Sequence, residues 1–134
     1  MTTLNTIEEA IVTRISSKLS AAAGFVAVQR GVEGIPQPSV YVSIEEGTFR
    51  RITDTTYEQA LTCFVDIIFS DMQNEAQRRK GIYAILEGIV QCLLMQKLGL
   101  SISPLVPKSF KNITSAEYAA KGLIVYEIEL ATKF

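Results

Sequence analysis

The sequence contains no histidine, and this absence excludes several kinds of catalytic and metal site. Ser-His-Asp and Cys-His nucleophilic catalysis, acid–base catalysis by imidazole and zinc binding through histidine all need that side chain. The eight glycines form neither GxGxxG nor GxxxxGK[ST], so no phosphate-binding loop is predicted. Asp54, Glu58 and Asp66 lack the spacing of a metal-binding loop. We therefore predict no catalytic residue, no cofactor and no metal.

The chain also has little excess charge of either sign. Thirteen Lys and Arg residues stand against fourteen Asp and Glu residues, and the formal net charge is −1. Such a balance provides no basic surplus to hold nucleic-acid phosphates or an acidic membrane. The most apolar stretch, Gly81 to Met95, contains Glu87 and Gln91 and is shorter than the roughly 20 residues of a membrane helix. We expect neither specific nucleic-acid binding nor insertion into a membrane.

Length and composition predict a single domain covering residues 1–134. The 134 residues are 48% hydrophobic, enough for a core that needs no disulfide or metal. Cys63 and Cys92 lie far apart with no CxxC spacing, which is typical of buried, reduced thiols. The first residues, Met1 to Asn5, lack the basic and apolar regions of a signal peptide. These features favour a cytoplasmic location.

Two helices are predicted from apolar residues at three- and four-residue steps. The first runs from about Thr6 to Ala22, begins with a capping box from Thr6 to Glu9 and ends at Gly24. The second begins at Ser70 or Asp71, reaches about Leu98 and stops at Gly99. In the second helix a strip of small residues, formed by Gly81, Ala84 and Gly88, favours close packing either on the protein's own sheet or against another subunit.

Strands are predicted where apolar and polar residues alternate or where β-prone residues cluster. The predicted segments are Phe25–Gln29, a strand around Val40, Val42 and Ile44, Tyr57–Phe69, Ser109–Ala119 and a last strand from Ile124 to Leu130; a loop is expected at Gly31–Pro38, a turn at Glu46–Thr55 and a hairpin at Lys121–Gly122. The predicted strand Tyr57–Phe69 carries Phe64 and Ile68 on its second face, so this strand is either central in the sheet or covered by a partner. The order of elements predicts an α+β fold, with a mostly antiparallel sheet of four to five strands and two helices packed on one face.

A possible subunit contact is indicated by Gly47 to Ile52, where apolar residues flank two arginines. Aromatic residues and arginine are enriched at interface hot spots. The candidate interface residues are Phe49, Arg50, Arg51, Phe64 and Ile68. An ordinary exposed hairpin tip is the alternative interpretation of Phe49, Arg50 and Arg51.

Several segments, taken in order, resemble the tail-completion or tail-terminator family of Mu-like bacteriophages and prophages. The resemblance covers nearly the whole chain and is carried by Ile7–Ile11, Pro38–Val42, Arg79–Leu86, Leu100–Leu105 and Gly122–Leu130. None of these segments is a catalytic signature, because they are patterns of a scaffold.

The resemblance implies a non-enzymatic structural protein of the virion with an α+β fold. Such proteins form a ring, usually hexameric, on the head-proximal end of the tail tube, where they stop its polymerisation and offer a surface to head-completion proteins. The implied partners are further copies of this chain, the tail tube protein and a head-completion protein, and the implied locations are the bacterial host cytoplasm during assembly and the virion tail. A head–tail connector or neck protein is an alternative, and a small enzyme or ligand-binding α+β domain is an alternative of another class.

Overall fold

The computed structural model of the protein describes residues 3–20, 26–29, 39–70, 75–120 and 123–134. Helix α1, Leu4–Ile15, is followed directly by a short π-helical segment, Ser16–Ser20. The other elements are, in chain order, β1 Val26–Gln29, β2 Ser39–Arg51, β3 Tyr57–Ser70, α2 Glu75–Leu93, β4 Val106–Asn112, α3 Ala116–Ala120 and β5 Leu123–Lys133.

The five strands form one sheet in the order β1-β2-β3-β5-β4. Only β1 and β2 are parallel, whereas β2 with β3, β3 with β5 and β5 with β4 are antiparallel. The predicted α+β fold with a mostly antiparallel sheet is therefore confirmed. Strand β3 lies in the centre of this sheet, which explains why its second face tolerates Phe64 and Ile68.

Helices α1 and α2 both pack on one face of the sheet, here called the helix face, as predicted. On this face Val42 of β2, Val65 of β3 and Ile128 of β5 are in register with one another and fully buried. The apolar stripe of α1 and the C-terminal turns of α2 pack against this face and complete the core. Their buried residues are Ile7, Ile11, Ile15, Leu86, Ile89, Cys92 and Leu93. The Arg14 side chain of α1 joins the two helices by donating from Nε to the Cys92 carbonyl oxygen at 2.9 Å.

The predicted capping box at Thr6 is wrong, because α1 begins one turn earlier. Thr3 is the N-cap residue, and its Oγ1 accepts a hydrogen bond from the Thr6 backbone N–H at 3.1 Å. The Thr6 hydroxyl lies 2.8 Å from that of Thr3 and so does not cap the helix itself. Thr3 and Thr6 show the same local pattern of an N-cap residue. Thr3 is the N-cap because the helix that starts there has one more turn.

The predicted turn from Glu46 to Thr55 is also wrong in its first half, where β2 continues to Arg51. Ile44 pairs with Cys63 and Glu46 with Thr62, so Glu45 is an extra residue in a β-bulge. The bulge shifts the alternation of apolar and polar residues by one position. Because the alternation is interrupted there, the sequence indicates a loop although the strand continues. Only residues 52–56 form the turn between β2 and β3.

The second helix ends at Leu93, five residues before the predicted end. After it, the Met95 backbone N–H donates to the Leu105 carbonyl at 2.9 Å, and the Leu105 N–H donates to Gln96 at 3.0 Å. Met95, Leu98 and Gly99 all have positive φ, which breaks the helical ladder. Leu98 nevertheless packs against the core, so the hydrophobic spacing continues past the point where the helix stops.

Replacing Met95 by asparagine is expected to raise the free energy of unfolding by about 1 kcal/mol. Met95 has φ 58° and is largely exposed, so asparagine, which tolerates left-handed backbone, relieves strain without loss of core packing. Chemical denaturation measures the change. Gly99→Ala is the control with the opposite sign, because φ is 71° there and the added Cβ would meet open space. An unchanged midpoint in both variants would contradict the strain argument.

The strand predicted from Ser109 to Ala119 is confirmed only in its first part. Strand β4 begins at Val106 and stops at Asn112, whose Oδ1 accepts from the Thr114 backbone N–H at 2.9 Å. Ser115 then accepts from the Tyr118 N–H at 3.3 Å and begins the short helix α3. These hydrogen bonds between side chains and nearby backbone groups stabilise a turn. The turn ends the strand even though the residues that follow have strand propensity.

Some predictions fall on residues outside the described ranges. These are the end of the first helix at Gly24, the loop Gly31–Pro38, the cap at Asp71 and the hairpin at Lys121–Gly122. Ser70, the other candidate for that cap, is the last residue of β3. The strand predicted at Phe25–Gln29 is present as β1 from Val26 onward.

Candidate assembly surface

The β2–β3 hairpin extends beyond its neighbours and ends in a tip, residues 49–57. Strand β1 pairs with β2 only as far as Val42, and the chain from β5 onward pairs with β3 as far as Gln59, which exchanges two backbone hydrogen bonds with Phe134 at 2.9 and 3.0 Å. At the tip Phe49 is 73% exposed and Tyr57 is 57% exposed, and their rings meet edge to face with centroids 5.3 Å apart. The tip therefore presents two aromatic side chains to solvent, at the point where the sheet narrows to the two strands of the hairpin.

Gly47 lets β2 approach β3 closely beside Ala60 and Leu61, below the tip of the hairpin. A Cβ at this position would lie 3.0 Å from the Ala60 carbonyl oxygen and 3.1 Å from Leu61 Cδ2. Because the first of these atoms is backbone, the two strands would have to separate to admit a side chain. The glycine thus fixes how the tip joins the core.

The predicted interface residues lie on two faces of the hairpin. Phe49 and Arg51 point to the helix face, since they are in register with Gln59 and Tyr57. Arg50 points to the opposite face, where its guanidinium lies 3.6 Å from Glu58. Arg51 forms an ion pair with Asp54 within the turn.

The other two predicted residues, Phe64 and Ile68, lie far along β3 from the tip and on the face opposite the helices. Phe64 is half-buried opposite Glu129, and Ile68 is only 8% exposed. The structure therefore brings Phe49 and Arg51 together but leaves these two residues apart from them, with little of Ile68 available for contact.

A second apolar surface lies between α2 and β4, and we call it the α2–β4 groove. It encloses about 540 Å³ and opens to solvent; its lining includes Tyr83, Leu86, Val90, Pro107, Phe110 and Ile128. Tyr83 is 45% exposed and Phe110 62% exposed, while Leu86 and Ile128 form the buried floor. Glu87 and Gln91 from α2 and Lys108 from β4 supply its polar groups.

A bulge in β4 makes this groove apolar. Pro107 pairs with Leu130 and Ser109 with Glu129, which leaves Lys108 as the extra residue. Phe110 consequently returns to the helix face beside Ile128. Among the described strands β4 is an edge of the sheet, so α2 covers Phe110 on one side only.

Sequence reasoning missed the aromatic pair of Tyr83 and Phe110. Tyr83 is on α2 beside the predicted apolar stripe, and Phe110 stands between lysines in a strand that begins with Pro107. Proline and lysine in a strand are signals of a sheet edge. That signal identifies an edge strand, but only the packing of α2 brings the two rings into one groove.

The small-residue strip of α2 is not covered by the protein's own sheet at its middle position. Ala84 is exposed and Gly88 is half-buried, although the apolar stripe one residue away packs in the core. The interpretation in which the strip packs on the sheet is therefore wrong at Ala84. Contact with another subunit stays a prediction for this helix surface.

Neither cysteine has the environment of a nucleophile. Cys63 is completely buried, and burial, together with the charge of Glu8, raises its thiol pKa to about 12. Burial also raises the pKa of Cys92, although Arg14 and Lys18 act in the opposite direction. Both thiols are free, as predicted, and a protonated thiol is a poor nucleophile.

The described ranges also lack the features of two further kinds of site. Within them, no group of three or more Cys, Asp or Glu side chains is placed to hold a metal ion. No helix of this part of the chain combines the length and the apolar character needed to cross a membrane.

An α+β sheet with a projecting aromatic hairpin and an apolar groove is typical of proteins that act through contacts with other proteins. The family model described as "Bacteriophage Mu, Gp37" matches residues 3–134. The chain therefore belongs to the bacteriophage Mu Gp37 family, and the resemblance to proteins of Mu-like phages is confirmed. A search of curated proteins finds no match.

Among solved structures, this chain is similar to a chain described as "Virion of native gene transfer agent (GTA) particle". The TM-score is 0.64 at 14% sequence identity, and the likeness covers 95% of this chain and 92% of that chain. At so low an identity the likeness shows a shared fold. The family and this fold together support a structural protein of a phage.

Proposed function

We propose that the protein is a phage tail terminator, a structural protein that caps the completed tail tube as a ring. The observation that carries the proposal is the match of the bacteriophage Mu Gp37 family over residues 3–134. The likeness in fold to a chain from a virion particle supports it, since the likeness extends over nearly the full length of both chains. The ring stops polymerisation of the tube and provides the surface to which the head is joined.

The ring is hexameric, as the resemblance implies, and its partners are the tail tube protein and a head-completion protein. It assembles in the host cytoplasm, remains in the virion tail and has no enzymatic activity. A ring needs a heterologous interface, in which one surface of each subunit meets a different surface of the next. The hairpin tip and the α2–β4 groove support this requirement, because they are two separate apolar surfaces on one chain.

The proposal is tested by adding the purified protein to polymerising tail tube protein and measuring tube lengths by negative-stain electron microscopy. We expect growth to stop and a ring to be visible at one end of each tube. In a phage that lacks the gene, tails should be overlong and fail to join heads, and a plasmid copy should restore both properties.

The same experiment separates the alternatives. A head–tail connector would leave tube length unchanged and would bind heads or necks instead. A protein that neither shortens tubes nor binds heads would contradict the proposal, and its apolar groove would then be the place to seek a small ligand.

A further inference from the structure

The hairpin tip carries an apolar surface that its own chain does not cover. Phe49 and Tyr57 lie on its helix face, and Ile52 at the turn is 53% exposed. A two-stranded ribbon of this kind has few buried contacts of its own. Exposed aromatic residues on a projecting element are suited to insertion into a cavity of another molecule.

The α2–β4 groove has the complementary shape and chemistry. It is concave, with Leu86 and Ile128 as its floor and with Tyr83 and Phe110 on its two walls. Glu87 is an exposed carboxylate on the wall that α2 forms. Arg51 lies on the same face of the tip as Phe49, so an aromatic anchor and a cation are presented together.

We propose that the hairpin tip of one copy of this chain enters the α2–β4 groove of the next copy, with Arg51 directed toward Glu87. This inference rests on the ring of the proposed function and names the surfaces that would build it. Because the tip and the groove share no residue, one subunit uses both at once, and the contact propagates from copy to copy.

The exposed aromatic area of the tip and the groove together is large enough for a contact between two copies of the chain. Aromatic side chains bury about 150–250 Å² each. At the exposures of Phe49, Tyr57, Tyr83 and Phe110, these rings leave roughly 500 Å² to be covered. That is about a third of a standard interface of roughly 1,600 Å² and corresponds to its apolar centre.

Charge supports the same arrangement. Within the turn Arg51 forms an ion pair with Asp54, in which both side chains are highly exposed, and its Nε donates a long hydrogen bond of 3.3 Å to the Thr53 carbonyl oxygen; exposed contacts of this kind contribute little to stability. Arg51 can therefore leave Asp54 and pair with Glu87 of the next copy at little cost in free energy, and the new ion pair fixes the register of the two copies. Pairing of the two sheet edges is disfavoured, because β4 carries Pro107 and Lys108, so the contact is made by side chains.

Cysteine cross-linking tests the geometry. Ile52→Cys places a thiol on the tip and Gln91→Cys places one in the groove, and neither change removes an aromatic ring. The native Cys63 and Cys92 are buried and do not compete. After mild oxidation, we expect disulfide-linked dimers when the two variants are mixed and none from either variant alone, both in free solution at high concentration and on tail tubes.

Three other outcomes overturn the inference, and a fourth sustains it while rejecting the proposed function. Cross-linking of Ile52→Cys with itself means that tip meets tip. Absence of cross-links while native mass spectrometry shows oligomers, or while rings cap tubes, places the interface elsewhere and leaves the proposed function intact. Absence of both cross-links and oligomers in free solution and on tubes excludes self-association through these surfaces. Cross-links in a protein that fails to cap tubes would sustain the interface and reject the terminator function.

Charge reversal provides a second test with matched controls. We expect Arg51→Glu and Glu87→Arg each to weaken self-association about tenfold, and the double variant to recover most of the loss. Phe49→Ser should weaken it at least as much. Tyr118→Ser, which changes a partly exposed aromatic residue on α3, should have no effect. Equal weakening by the control, or no recovery in the double variant, would overturn the pairing of Arg51 with Glu87.

Discussion

An Ile11→Ala variant is expected to lose about 2–5 kcal/mol of its free energy of unfolding. Ile11 is completely buried at the middle of the α1 stripe and belongs to the cluster that contains Val42 and Ile89. Truncation removes apolar contacts and leaves a cavity that a close-packed core fills only partly. Since the free energy of unfolding of a small domain is only about 5–15 kcal/mol, this one substitution removes a large fraction of it.

Chemical denaturation followed by circular dichroism measures this loss. Leu4→Ala is the matched control, because Leu4 lies on the same helix but is 44% exposed, and we expect its effect to be below about 1 kcal/mol. If both variants lost the same amount, the packing of α1 on the helix face would be contradicted.

Raising the pH from about 9 to 12 is expected to cost the folded state up to about 4 kcal/mol through Cys63 alone. The unfolded thiol ionises near pH 9, whereas burial raises its pKa in the folded protein to about 12. Between these values the unfolded chain releases the proton and the folded chain keeps it. The contribution of Cys63 to the free energy of unfolding is therefore constant below about pH 9 and falls as the pH increases through this window.

The contribution of Cys63 is isolated by comparison with a Cys63→Ala variant, which lacks the thiol and keeps every other ionisable group. We expect the variant to be less stable at pH 8 but to lose less stability between pH 9 and 12. In the wild type, thiol reagents should modify Cys63 only after unfolding. Rapid modification of the native protein, or equal pH slopes, would show that the thiol is not buried.

Local sequence patterns predicted most of the core. The period of the α1 stripe and the alternation in β3 and β5 placed Ile7, Val65 and Ile128 inside, because burial of apolar surface dominates stability. Patterns failed where one residue interrupts a regular element. The bulges at Glu45 and Lys108 shift the alternation of side chains, and the positive φ of Met95 ends a helix whose apolar spacing continues.

The candidate surface was predicted only in part for a different physical reason. Phe49 and Arg51 are neighbours in the chain, so their proximity follows from the sequence. Tyr83 and Phe110 are brought together by the packing of α2 beside an edge strand, and such a contact between distant segments has no local signature. Ile68, chosen for its place on the second face of β3, is instead nearly buried.

The sequence by itself determined which side chains are available and the class of fold. It contains no histidine and no phosphate-loop motif, and the periodicity of its apolar residues favours helices packed on a mostly antiparallel sheet. Only the tertiary structure decided which surfaces are available. Exposure depends on which elements cover one another, and the order of strands leaves β4 at an edge while the β2–β3 hairpin projects beyond the sheet.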